Sequence, residues 1–523
     1  MLWGLEVAVI VTAAAVTGRL LLKRPIRREF AAHPVLGAGL IGAALAVGAA
    51  LVWAGSRSPG SRHLIVAVVG SGLALAAWRA LPNYGRSRGL PPGSLGLATS
   101  LDAVDDPDFY SRATARYGPI FKTGQIHQSV VCVTDVAMGL EVIERHRDAL
   151  VQVEWPYNRL FPGGYFEFMN GDLHDRYRAM IAPALGPEVV ADSRATIIAA
   201  VRSGLAEMAR AADGGDVDPE PFLYPMTFPS LVRAVLGVSV DDPRVATLRE
   251  LFTELNRPYE LFLPTPKRMA TAYRRTATIV GELATEAAAS GPAPAGRRSV
   301  LSEVIVADPS RGSDPTLIGN LIMMVKDGST IVRGQLRWVL KAVGDDPRWT
   351  DRLVDLAASG DGAGAVDAMA TSLVHETLRR SGTRYVYRRV ARDTRLGPYR
   401  VPRGWLLRLC FDQAHDNPDR YPEPKRFDPD RFLPGLPGPI DYCPFGHGTH
   451  ACVGAELTLE IARALARESA LGFRLRTVTD GPAWRINRHW GIWRPSASWR
   501  LAIAARTRSG DAGSSSIQTP QAS

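Results

Sequence analysis

Four side chains able to bind a metal crowd into one stretch, Asp441 to Gly454, which reads DYCPFGHGTHACVG. They are Cys443, His447, His450 and Cys452. A zinc site would use all four in the spacing Cys-x₃-His-x₂-His-x-Cys. That crowding makes tetrahedral closure difficult, and nothing in it uses Phe445. The other reading needs one cysteine. Cys452 stands just ahead of AELTLEIARALARE, a strong helical pattern. A helix N-terminus offers unpaired N–H groups and a positive dipole end, and both favour thiolate over thiol. A thiolate held this way suits iron as an axial ligand. Gly446, Gly448 and Gly454 permit tight turns and a close approach of backbone to a flat group.

Two further segments bear on the choice. ETLR, Glu376 to Arg379, puts an acid and a base on one helix face. Alone, such a pair is most often a solvated surface pair of small worth. FDPDRF, Phe427 to Phe432, supplies Arg431. In this order, with the cysteine loop last, the three motifs resemble the cytochrome P-450 family of haem-thiolate enzymes. Residues 445–454 match the family's F-G-x-G-x-H-x-C-x-G at every fixed position, and Glu376 and Arg379 match its E-x-x-R. The resemblance covers roughly residues 90 to 505.

The resemblance implies a haem b cofactor (iron protoporphyrin IX) with Cys452 as its axial ligand. It makes Phe445 a shield for the thiolate and Gly454 part of the seat. His450 would lie beside a haem propionate. DLHDRYR resembles the family's H-x-x-x-R helix, so His174 and Arg178 would pair with propionates, and Arg389 in YRRVARD would do the same. Buried carboxylates need cationic partners, so the physics agrees. Glu376, Arg379 and Arg431 would form a structural triad. Cys132 and Cys410 read as small core residues.

One segment departs from the family pattern. The helix over the open face of the haem should be Leu317 to Val343, whose centre in the family carries an acid and a threonine that deliver protons. Here it reads KDGST. Neither alignment register supplies the acid–alcohol pair. Asp327, Ser329 and Thr330 are the candidates for that work, with water as a relay. The alternatives are a peroxide-dependent enzyme, a haem-assisted rearrangement, cyclisation or dehydration, and a haem protein without catalysis.

These residues must be positioned by a mainly α fold with small β sheets. Apolar spacing near 3.6 predicts helices at Val136–Arg145, Ala191–Ala212, Leu317–Val343, Val366–Arg380 and Ala455–Leu471. IFKTG and VVCVT read as strands, and Tyr399 to Cys410 as a hairpin turning at Pro402, Arg403 and Gly404. No glycine-rich nucleotide loop appears, which argues against a fused nucleotide or flavin domain. No arginine-rich stretch interleaved with aromatics suggests nucleic-acid binding; the net charge of +10 reads as a solvated basic surface. Four cysteines make no disulfide framework and fit a reducing compartment.

The start of the chain is different. Met1–Leu22, Phe30–Ser56 and the shorter Leu64–Trp78 are apolar, and two or three of them would span a bilayer. Basic clusters after the first (Lys23, Arg24, Arg27, Arg28) and third (Arg79, Arg86, Arg88) place the main domain in the cytoplasm, giving a multi-pass membrane protein. The expected organisation is a membrane anchor over 1–82, a Pro/Gly hinge over 83–94, a catalytic domain over 95–505 and a disordered tail over 506–523. The expected substrate is a small apolar molecule, met by loops near Val151–Phe168 and Thr253–Met269. The expected redox partner is a separate ferredoxin or reductase, to which Arg463 and Arg467 could add a basic face.

Overall fold

The computed structural model describes residues 84–506, apart from 107, 126–127, 154–160, 162, 258–266, 361, 383–384, 482–483 and 486–492, with short pieces between 63 and 81. Met1–Leu22 and Phe30–Ser56 therefore lie outside the described residues, as does the tail beyond Arg506, and Leu64–Trp78 is described only in part. Among the described residues no helix is long and apolar enough to cross a membrane. The span read as one catalytic domain divides between two compact units.

The first unit holds Met1–Val151, Tyr385–Gln413 and Asn487–Trp490. Its centre is a mixed sheet of β1 (Gly93–Ser94), β2 (Ile120–Gln125), β3 (Gln128–Val133), β4 (Leu150–Val151), β5 (Tyr385–Val390) and β6 (Leu406–Cys410), in the order β1-β2-β3-β6-β5-β4. β6 reads LLRLC and is buried at every position, which suits an interior strand covered on both faces. Its charged member, Arg408, is fully buried between the rings of Tyr110 and Tyr385, with the guanidinium carbon 3.8 and 3.7 Å from their centroids. It donates to Tyr387 Oη at 2.8 Å and to Cys410 Sγ at 3.3 Å. Aromatic faces and hydroxyls thus replace a carboxylate partner. Cys132 and Cys410 are buried, as expected of small core residues.

The expected hairpin over Tyr399–Cys410 does not form. Tyr399–Val401 pairs with Thr394–Leu396 across Gly397, whose φ is 54°, while β6 enters the main sheet between β3 and β5. The glycine one turn earlier makes the tighter reversal, and the all-apolar run is drawn into the sheet interior.

The second unit holds Gln152–Arg384, Ala414–Ile486 and Gly491–Ser523. Its principal helices are α1 (Gly171–Ala184), α2 (Pro187–Ala212), α3 (Glu220–Leu236), α4 (Arg244–Leu255), α5 (Pro315–Asp345), α6 (Ala363–Ser381) and α7 (Ala455–Gly472). A three-stranded sheet of Asp216–Val217, Phe473–Thr479 and Arg500–Ala505 completes it. The observed class is mainly helical with small sheets, as the periodicity indicated.

α5 starts two residues before the Leu317 that the apolar spacing indicated. Pro315 occupies the first turn, and Asp314 accepts from the N–H groups of Thr316 at 2.9 Å and Leu317 at 3.3 Å. It packs against α3 and α7. α2 and α7 are joined by two ion pairs, Arg194–Glu460 at 2.7 Å and Arg202–Glu468 at 2.6 Å. Both glutamates are buried, so these pairs fix the pitch of one helix on the other.

Candidate functional site

The ETLR segment is buried, not solvated. Glu376 and Arg379 expose 0 % of their side chains. Arg379 donates Nε to Glu376 Oε2 and Nη2 to Oε1, each at 2.7 Å, a bidentate pair. Its Nη1 donates to the His415 carbonyl at 2.6 Å and Nη2 to the Pro424 carbonyl at 2.9 Å. Glu376 also accepts from Asp428 N at 3.0 Å, and Arg431 Nε lies 3.8 Å from Glu376 Oε1. The triad read from two motifs is therefore one cluster, and its outer bonds tie α6 to the loops that precede the cysteine stretch.

Those loops lead to Cys452. Gly446 and Gly448 take φ of 72° and 69°, the left-handed turns that the glycine spacing anticipated. Cys452 N donates to the Phe445 carbonyl at 2.9 Å, closing the loop on itself. Phe445 is half-buried and packs on the core. The Cys452 thiol is reachable by solvent, yet the protein massed around it raises its pKa by desolvation. The Gly454 N–H and the charge of Arg178 act the other way, toward thiolate.

The four-ligand zinc reading fails here. Among the described residues no three His, Cys, Asp or Glu side chains converge on a metal position. Cys443 is buried, with its pKa pushed up to about 12 by burial, and its N–H donates to His415 Nε2 at 3.2 Å. His447 is exposed.

α1 supplies the next residues. His174 is buried and stacks on His450, with ring centroids 3.9 Å apart. Its Nδ1 lies 2.8 Å from Asp175 Oδ1, which leaves Nε2 buried without a hydrogen-bond partner among the described residues. One turn on, Arg178 donates Nη1 to the Ala451 carbonyl at 2.8 Å and has no carboxylate partner among the described residues. Thus His174, Arg178, His450 and Cys452 meet in one place. An orphan imidazole nitrogen and an arginine without an acid form a seat for a group carrying carboxylates. The thiol beside them suits iron, so the residues fit an iron porphyrin.

Arg389 lies in the first unit and is half-buried. Its neighbour Arg388 is the one that strand alternation buries: it is 8 % exposed, and burial pushes its pKa down to about 10. YRRV offers both arginines, and only the register of β5 on β6, Arg388 to Leu407, separates them.

The KDGST segment is an unbroken part of α5. Gly328 faces α3, where a Cβ would come 3.1 Å from Leu231 Cδ2. Ser329 Oγ donates to the carbonyls of Val325 at 2.7 Å and Lys326 at 2.9 Å. Thr330 Oγ1 donates to Asn256 Oδ1 at 3.2 Å, at the end of α4. Lys326 Nζ and Asp327 Oδ1 pair at 3.0 Å. The charges of Asp327 and Cys452 both reach the buried phenol of Tyr165.

The same region contains a residue that the motifs did not mark. Glu167 sits on a 3-10 turn, Phe166–Phe168, ahead of α1. Its side chain is exposed, and desolvation by the surrounding protein with the charge of Asp327 pushes its carboxyl up. Phe161, Tyr165 and Phe166 are core residues, whereas Trp155 and Tyr157 lie outside the described residues.

Comparison with known proteins agrees with this geometry. Residues 368–492 match the family model described as Cytochrome P450. The chain is 26 % identical over 431 residues to a rice (Oryza sativa subsp. indica) protein named Abscisic acid 8'-hydroxylase 3, covering 76 % of this chain and 84 % of that one. It is 26 % identical over 383 residues to Putative cytochrome P450 138 of Mycobacterium bovis, covering 70 % and 85 %. Among solved structures, a cyanobacterial protein described as retinoic acid bound CYP120A1 superposes with a TM-score of 0.64 at 21 % identity, covering 80 % of this chain and 99 % of that one.

Proposed function

From the premise that this chain belongs to the cytochrome P450 family, we propose that it is a membrane-attached haem-thiolate monooxygenase acting on a small, largely apolar molecule. The observation that carries this reading is the meeting of Cys452, in a loop that its own N–H closes on the Phe445 carbonyl, with the stacked rings of His174 and His450 and with Arg178, which donates to the Ala451 carbonyl. Bound haem supplies the oxidising chemistry. The residues of this chain supply the rest. Cys452 would hold the iron, with Phe445 packed beside the loop and Gly454 at the start of α7. His174 Nε2, Arg178 and His450 would face the haem carboxylates.

The rice relative's name gives a hydroxylation, and an insertion of oxygen into an apolar substrate is the reaction read here. Electrons would come from a separate ferredoxin or reductase. Arg463 and Arg467 are already engaged with acids, Arg463 with Glu460 and Arg467 with Glu468 and Asp367, so they add little free charge to a docking face. The apolar segments Met1–Leu22, Phe30–Ser56 and Leu64–Trp78, with basic clusters after the first and third, support attachment to the membrane with the catalytic part on its cytoplasmic side.

A second reading is favoured by one observation. Ser329 and Thr330 direct their hydroxyls at helix carbonyls and Asn256. A proton path through them would first break those bonds, which favours peroxide use or a non-oxidative rearrangement. One assay separates the two: turnover with and without electron donor and dioxygen. The monooxygenase reading expects product only when both are present. Product formed under argon without donor would contradict it.

A further inference from the structure

We propose that the sheet-bearing first unit binds a small monovalent anion, of halide size, at the edge of the Arg408 guanidinium. The proposal does not depend on the haem-thiolate reading above.

Arg408 is a buried cation without an anion. Among the described residues its hydrogen bonds run to Tyr387 Oη at 2.8 Å and Cys410 Sγ at 3.3 Å, and it forms no ion pair. Its Nη2 is buried without a hydrogen-bond partner. Burial raises the pKa of the Tyr110 and Tyr387 phenols, so neither supplies a negative charge at neutral pH. The faces of the rings offset part of the cost of burying this charge and leave the rest.

Two more buried polar atoms without partners meet the guanidinium. Tyr110 stands on the helix Phe109–Tyr117, with its ring centroid 3.8 Å from the guanidinium carbon and its Oη orphaned. Gln125, at the end of β2, donates Nε2 to the same Tyr387 Oη that receives Arg408 Nη1, and its Oε1 is orphaned. Tyr110, Gln125 and Arg408 expose 2 %, 8 % and 0 % of their surface. All three belong to the first unit, so the cluster is internal to one compact body.

The rings dictate how a ligand approaches. Tyr110 and Tyr385 lie against the guanidinium at 3.8 and 3.7 Å, which leaves its in-plane edge. On that edge Nε is taken by Cys410 and Nη1 by Tyr387, and Nη2 remains. A ligand at Nη2 can also accept from the Tyr110 hydroxyl. Turning the Gln125 amide over brings in its Nε2 as a third donor, while its Oε1 accepts from the Tyr387 hydroxyl. Three converging donors suit an anion. A water would fill the hydrogen bonds and leave the charge unbalanced, whereas an anion meets both needs. The close ring contacts restrict it to a small one.

Thermal unfolding of the full-length protein in chloride and in gluconate, at one ionic strength, tests this. Gluconate is too large for the enclosure. Chloride should raise the unfolding temperature by about 3 °C, and the rise should saturate with concentration. Tyr110→Phe keeps the ring and removes one donor, so the chloride concentration at half-effect should increase at least about tenfold. Crystals grown in bromide locate the ion: an anomalous peak is expected within hydrogen-bond reach of Arg408 Nη2 and Tyr110 Oη. Bromide on the surface alone, an adventitious ion only, would overturn the proposal. So would the absence of a chloride response, a response that does not saturate, or one that Tyr110→Phe leaves unchanged.

Discussion

Replacing Arg379 by leucine is expected to cost about 3–5 kcal/mol and to leave little soluble, folded protein. The reason is not the loss of one bond. Glu376 would remain fully buried, holding a charge whose two 2.7 Å partners have gone, with Arg431 no closer than 3.8 Å. The carbonyls of His415 and Pro424 would each lose a donor at the same time, the second keeping Arg380 Nη1 at 3.2 Å. Against a total stability of about 5–15 kcal/mol, such a loss is close to global. Glu376→Leu should behave alike, and the double replacement should recover part of the loss, because no charge is then left buried alone. Thermal and denaturant unfolding, with soluble yield, measure this. A change below about 1 kcal/mol for Arg379→Leu would mean that the pair is solvated.

The second large effect concerns retention of the cofactor. Arg178→Leu is expected to weaken haem binding by about 2 kcal/mol, roughly thirtyfold, the lower end of the range for a buried charge partner because Arg178 is only half-buried. The variant would leave the haem carboxylates the imidazoles of His174 and His450 without the guanidinium between them and the loop. Arg178→Lys keeps the charge and loses the forked donor, so it should fall between. The measurement is the haem-to-protein ratio after purification, followed by the rate of haem loss to an acceptor protein. Unchanged retention in Arg178→Leu would show that the propionates lie elsewhere.

Much of this site was legible in the sequence because its signals are local. The cysteine loop carries its turns as glycines and its ligand ahead of a helix, all within Asp441–Gly454. Glu376 and Arg379 are one turn apart, so helical spacing alone pairs them. The bodies of α5 and α7 follow from the apolar spacing. What remained hidden depends on partners distant in the chain. Arg388 and Arg389 are neighbours, and only the pairing of β5 with β6 buries the first. The hydroxyls of Ser329 and Thr330 read as free proton carriers until Asn256 and the carbonyls of α5 are placed around them. The hairpin at Tyr399–Cys410 had the right strands and the wrong partners, since β6 belongs between β3 and β5. Glu167 had no signal at all. Its turn is placed only by Asn320, 154 residues after Phe166 in the chain.

The central claim is that Cys452 is the thiolate ligand of a bound haem. The most direct test is the carbon-monoxide difference spectrum of the reduced protein. The wild-type protein should show the strongly red-shifted Soret band of a thiolate-ligated haem, and Cys452→Ala should abolish it, while Cys443→Ala should leave it in place. A Cys452→Ala protein that keeps the band would contradict the account.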